Sequence, residues 1–150
     1  MKRILFICLG NICRSPMAEA VMRDLIETRG LSADIKVDSA GTSNAHQGEE
    51  PHKGTRTKLH EMGISTSGMT SRPLRTSDLE FDYLVCMDAS NVDNTRRMLK
   101  SESERIFRFL DLTTHKKDVP DPWYTGDFNE TYALCVEGCT TLLDKILEKQ

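Results

Sequence analysis

No apolar run in this 150-residue chain is longer than Ile4–Leu9, far short of the roughly 20 residues that cross a bilayer as a helix. Lys2-Arg3 ahead of that run imitates the start of a secretion signal. Asn11 and Arg14 interrupt it before any small-residue cleavage site, so no signal and no membrane association are read. A strong net charge is missing too: 20 basic against 23 acidic side chains leave −3, which offers no basic face for nucleic acid. Neither G-x-G-x-x-G nor a Gly-Lys-Ser/Thr after Gly10 is present, which excludes the dinucleotide fingerprint and the Walker-type nucleotide loop. Internal repeats, linkers and low-complexity tracts are absent. The five cysteines are odd in number, which argues against a disulfide framework and for a reducing, cytoplasmic location. His46, His52, His60 and His115 show no metal-ligand spacing and read as surface residues, so neither metal nor cofactor is expected. Aromatic side chains are scarce at 6%, which makes the adjacent pair Trp123-Tyr124 conspicuous.

What is present fits a single globular domain over residues 1–150, with 38% hydrophobic and 29% charged side chains. Short β-rich runs predict strands at 2–7, 34–38, 83–87 and 105–109. Met17, Val21 and Leu25 repeat at helical spacing, as do Tyr132, Val136, Cys139, Leu143 and Ile146. Further helices are predicted over 51–62 and 91–100. Alternating strands and helices define an α/β fold, a doubly wound four-stranded parallel sheet with helices on both faces. A flavodoxin-like order 2-1-3-4 places the ligand crevice at the carboxyl ends of the first and third strands. Cys86, Cys135 and Cys139 fall on apolar faces and read as core.

The first strand runs directly into Cys8-Leu9-Gly10-Asn11-Ile12-Cys13-Arg14-Ser15. Ser15 followed by Pro16 carries a helix-start signal, with Ser15 as the cap and Pro16 at the first helical position. A sharp loop between a strand and a helix N-terminus turns its N–H groups inward and forms an anion site. Gly10 and Asn11 readily take the left-handed angles that such a cradle needs. Arg14 can bind two oxygens of a tetrahedral anion through its planar fork. Cys8 then sits beneath the central atom, where the donors and the guanidinium favour the thiolate and Ser15 can donate to its sulfur. By itself Cys-x5-Arg also fits a buried cysteine ending a strand, with Arg14 a solvated charge.

Residues 8–20, CLGNICRSPMAEA, resemble the signature of the low-molecular-weight protein tyrosine phosphatases. The resemblance continues through Val37–Gly41, Phe81-Asp82-Tyr83, Met87-Asp88 and Asp121-Pro122-Trp123-Tyr124, in the family's order along nearly the whole chain. It implies phosphotyrosine hydrolysis through a cysteinyl-phosphate, with Cys8, Arg14 and Asp121 catalytic. Leu9, Gly10, Asn11, Ile12, Cys13 and Ser15 would bind the phosphate, and Trp123 and Tyr124 the phenyl ring.

From composition, Asp121 also fits a turn residue that caps locally, and one of the two aromatics fits core packing. The resemblance selects Asp121 over Asp118 as the acid. It also implies that Ser39 supports the loop through Asn11, although Ser39 equally suits a local turn cap. The family's paired cysteines suggest that Cys13 captures an oxidised Cys8. The chain departs from the family at Trp123, where tyrosine is common, and at Ala45, where many relatives carry tryptophan. The first departure predicts a different phosphopeptide preference, the second a more open pocket entrance with weaker peptide selectivity. The expected partner is a phosphotyrosine protein or peptide, and the sequence carries no reading of oligomeric state. Two other functions fit the loop: an arsenate reductase of the same fold, and a noncatalytic phosphate-binding module. The reductase requires paired cysteines on one segment past the third strand, and Cys86 has no such partner.

Overall fold

The structure is a computed structural model and describes residues 1–149. Four parallel strands form its sheet: β1 (Lys2–Cys8), β2 (Ile35–Gly41), β3 (Tyr83–Cys86) and β4 (Ile106–Arg108), in the order β2-β1-β3-β4. Five helices accompany them: α1 (Arg14–Thr28), α2 (Lys53–Glu61), α3 (Ala89–Leu99), α4 (Pro122–Thr125) and α5 (Phe128–Glu148). Two 3-10 turns lie at Thr76–Glu80 and Phe109–Leu112. The doubly wound order expected from the sequence is the one observed.

Central β1 is buried on both faces, which is why it reads as an unbroken apolar run. Ile4, Phe6 and Cys8 face a core shared with Met17 and Val21 of α1, Leu59 of α2, and Cys135, Cys139 and Leu143 of α5. Leu5 and Ile7 face the opposite layer, with Leu84, Cys86 and the α3 residues Val92 and Leu99. Phe109 lies edge-on to Phe6, their centroids 5.4 Å apart, and presses against Gly138 of α5. A methyl group at Gly138 would overlap the Phe109 ring, so this helix position needs glycine despite its propensity cost.

The elements differ from expectation mainly at their ends. β2 continues three residues past Asp38, because Ser39, Ala40 and Gly41 pair in register with Phe6, Ile7 and Cys8. α3 starts two residues earlier than position 91, since the Asp88 carboxylate accepts the Asn91 N–H at 2.7 Å and caps it. α1 starts at Arg14, so Pro16 lies inside the first turn and Ser15 is not the cap. Cys13 takes the cap position without a side-chain hydrogen bond, and the Ser15 hydroxyl is directed into the loop instead.

Candidate active site

β1 ends where the strand order reverses, and residues 9–13 arch from Cys8 to the start of α1. Parallel pairing carries β2 beneath this arch. Thr42 N–H donates to the Cys8 carbonyl and Ser43 N–H to the Leu9 carbonyl, each at 2.9 Å. The approach needs Gly41, whose added Cβ would stand 2.8 Å from the Leu9 oxygen. On the opposite side, His52 N–H bonds the Ile12 carbonyl at 2.7 Å and the Thr55 hydroxyl bonds the Cys13 carbonyl at 3.1 Å. The arch is therefore clamped along both flanks.

Asn11 adopts φ 57°, a left-handed conformation that asparagine tolerates better than most side chains. Its side chain is fully used. Arg72 N–H donates to Oδ1 at 3.0 Å, while Nδ2 donates to Ser15 Oγ at 2.8 Å and Ser39 Oγ at 2.9 Å. Ser39 gives its own proton to Glu19 Oε1 at 2.5 Å. Because Ser15 Oγ accepts from Asn11, its proton is free for Cys8 Sγ, 3.0 Å away. Asn11 N–H also points at that sulfur, at 3.3 Å. Donation thus diverges from the Asn11 amide, one arm running through Ser15 to the Cys8 sulfur and the other through Ser39 to Glu19.

Burial raises Glu19 above the ordinary carboxylate value, against the opposing bonds from Ser39 and Arg23. Glu19 was not singled out in the sequence. The available signal is its spacing: Glu19 lies four residues from Ser15, on the same face of α1.

Arg14 enters from the first turn of α1 and is 4% exposed. It donates to Asp88 at 2.8 Å and to the Val119 carbonyl at 2.9 Å, and its other terminal nitrogen lies 3.5 Å from Asp121 Oδ2. Burial alone would lower its pKa. The sulfur of Cys8, the Asp88 bond and the charges of Asp121 and Asp88 outweigh burial and raise it, so the guanidinium stays charged. Asp121 has two roles locally. Oδ1 caps α4 through Trp123 N–H at 3.0 Å, leaving Oδ2 to face Arg14. Asp118 lies outside this group, bound to Ala89 N–H and Arg108.

Cys8, Leu9, Gly10, Ile12, Cys13, Arg14, Asp121, Trp123 and Tyr124 line one cavity of about 200 Å³, and Asn11, Ser15 and Ser39 lie in the hydrogen-bonded layer that supports it. Trp123 and Tyr124 are 53% and 81% exposed, so neither is a core residue. Trp123 stands between His46 and His52, with ring centroids at 5.7 and 5.6 Å. These two histidines are half-buried, unlike the exposed His60 and His115, and His46 joins Ala45 on the pocket wall. His46, beside Ala45, adds an aromatic ring to the pocket wall and packs against Trp123. Nothing in the sequence pattern of that loop signals this.

All five cysteines are free and buried. Burial pushes the Cys86 and Cys135 thiols up to about 12 and Cys139 well above its ordinary value. Cys13 also rises to about 12, through burial and then the negative charges of Asp121 and Cys8. Among the described residues, no three His, Cys, Asp or Glu side chains gather as a metal site, and no helix is long and apolar enough to cross a membrane.

An oxyanion cradle over a cysteine, at the switch point of a 2-1-3-4 sheet, defines a class of cysteine-dependent phosphatases. Residues 3–150 match the family model for low molecular weight phosphotyrosine protein phosphatases, and the chain belongs to that family. It is 46% identical over 154 residues to the low molecular weight protein-tyrosine-phosphatase YfkJ of Bacillus subtilis, covering 100% of this chain and 99% of that protein. The crystal structure of YfkJ superposes with a TM-score of 0.97, covering 100% of this chain and 97% of that one. The protein-tyrosine-phosphatase PtpA of Staphylococcus epidermidis is 42% identical over 149 residues, with 99% and 96% covered.

Proposed function

We propose that residues 1–150 act as one phosphatase domain that hydrolyses phosphotyrosine in proteins or peptides, and small aryl phosphates, by two in-line phosphoryl transfers. The observation that carries this reading is the convergence of Cys8, Arg14 and Asp121 on one cavity walled by Trp123 and Tyr124. Cys8 thiolate attacks phosphorus. Arg14 and the loop amides take the equatorial oxygens, whose charge grows toward the transition state. Asp121 gives its proton to the departing phenolate, and a cysteinyl-phosphate remains. In the second transfer Asp121 takes a proton from water, the water attacks phosphorus, and Cys8 leaves as thiolate. The Ser15 hydroxyl and the Asn11 N–H meet that returning charge.

The exposed aromatics suit a phenyl ring held at the cavity rim with its phosphate above Cys8. A phosphoserine side chain is shorter, which supports selectivity for phosphotyrosine. The free cysteines support a cytoplasmic location. The family's phosphatase relatives and the buried state of Cys86, Cys135 and Cys139 weigh against arsenate reduction, which needs accessible relay thiols.

Hydrolysis of p-nitrophenyl phosphate, insensitive to chelator and abolished by Cys8→Ser, is the deciding experiment. Phosphate binding without turnover would establish a noncatalytic module, and thiol-coupled arsenate reduction without phosphate release would establish the reductase.

A further inference from the structure

Ser71 lies outside the loop, 61 residues beyond Gly10, and is 4% exposed. Its hydroxyl donates to the Gly10 carbonyl at 2.9 Å. That carbonyl and the Asn11 N–H belong to one peptide unit, and in a trans peptide they point in opposite directions. The N–H end is the one directed at Cys8 Sγ, 3.3 Å away. Ser71 therefore holds the far end of the group that faces the sulfur.

The serine is itself fixed. Its N–H donates to the Glu49 carbonyl at 2.9 Å and its carbonyl accepts from Gly48 at 2.8 Å. The next residue, Arg72, donates its N–H to Asn11 Oδ1 at 3.0 Å. The Arg72 guanidinium is anchored by Asp38 and Asp78, both at 3.0 Å. Residues 71 and 72 thus form a rigid backstop against the Gly10–Asn11 peptide.

We infer that Ser71 is a positioning residue for the phosphatase reaction, its hydroxyl orienting and polarising the Gly10–Asn11 peptide so that the Asn11 N–H stabilises the Cys8 thiolate. Accepting a hydrogen bond at the carbonyl strengthens the N–H as a donor at the other end of the same unit. Burial keeps water from replacing the hydroxyl. The role in turnover rests on the phosphatase reading above, whereas the contact with the thiolate can be measured without substrate.

The test compares alkylation of Cys8 by iodoacetamide, a neutral reagent, in the native chain and in Ser71→Ala. Cys8 and Cys13 line the cavity whereas Cys86, Cys135 and Cys139 do not, so tandem mass spectrometry scores alkylation at Cys8 separately from Cys13. At about pH 6 the variant should react about three- to tenfold more slowly, the value of one neutral hydrogen bond. At about pH 9, where an ordinary thiol is largely ionised, the two should react alike. Ser71→Thr should restore the native ratio of rates and Ser71→Val, of the same shape but without the hydroxyl, should not. That pair carries the comparison if Ser71→Ala does not fold. An unchanged ratio in the hydroxyl-free variants, even with a lowered melting temperature, would reduce Ser71 to a structural contact and overturn the inference. A native chain that alkylates at Cys8 yet hydrolyses no aryl phosphate would instead refute the phosphatase reading.

Discussion

The guanidinium of Arg14 and the carboxylate of Asp88 lie 2.8 Å apart across 74 residues of sequence, with side-chain exposures of 4% and 18%. Asp88 divides its two oxygens: Oδ2 holds Arg14 and Oδ1 caps α3. Substituting Asp88→Asn preserves a capping oxygen, since asparagine caps as well as aspartate. What it removes is the charge-assisted bond, worth about 1.5–3 kcal/mol. We expect kcat/KM for p-nitrophenyl phosphate to fall about tenfold or more, with α3 intact by circular dichroism. Unchanged kinetics would mean that the Val119 carbonyl alone orients the arginine.

Asp121→Asn is a similarly clean substitution, because asparagine can still accept the Trp123 N–H that caps α4. The proton for the leaving group is lost. Turnover of aryl phosphates should drop about 100-fold or more, near 2.7 kcal/mol of barrier. The loss should shrink as the phenol becomes more acidic, since a stable phenolate needs no proton. A loss below about fivefold with p-cresyl phosphate, a poor leaving group, would assign the acid to another side chain.

How much of this was legible in the chain follows from where each constraint acts. β1 and the Cys8–Ser15 loop announce themselves because burial on both faces and an abrupt turn leave local marks: an apolar run, then Gly-Asn. The same locality misplaces the start of α1. Ser15-Pro16 carries the composition of a helix cap, yet the Ser15 hydroxyl is bound to Cys8 and Asn11. Ser39-Ala40-Gly41 reads as a turn, and becomes strand because β1 offers three more residues of register. Glu19 carries no mark of its role in the chain, and His46 reads as a surface residue. A carboxylate among alanines reads as solvent-exposed until Ser39 arrives from β2, and His46 acquires its neighbours only when α4 brings Trp123 beside it.

Cys13 sits in the loop with Cys8 and shares its cavity. Peroxide should oxidise Cys8 to a sulfenic acid, and condensation with the Cys13 thiol would form a disulfide and release water. The Cys13 thiol is pushed up to about 12, by burial first, so at neutral pH it attacks mostly as the slow protonated form. Capture should therefore quicken as pH rises toward that value, while staying reversible by dithiol. Mass spectrometry after peroxide treatment at neutral and alkaline pH distinguishes the outcomes. Cys8 sulfinic acid beside a free Cys13 at both pH values would remove the protective role.

Glu19 makes stability depend on pH in a direction opposite to most carboxylates. Burial raises it above the ordinary value of 4.5, outweighing the bonds from Ser39 and Arg23. The folded chain consequently keeps this proton to higher pH than the unfolded chain does. Between the ordinary and the raised value the folded state binds more protons, so stability falls as pH rises through that window. Above the window the full cost of burying the charge is present; below 4.5 it is gone. Glu19→Gln keeps an acceptor for the Ser39 hydroxyl and abolishes the titration. Urea midpoints for both proteins, taken from about pH 4 to pH 8, should show the variant gaining on the native chain as pH increases, until the gain levels off. Parallel curves would mean that Glu19 titrates alike in the folded and unfolded chains, its burial fully offset by Ser39 and Arg23.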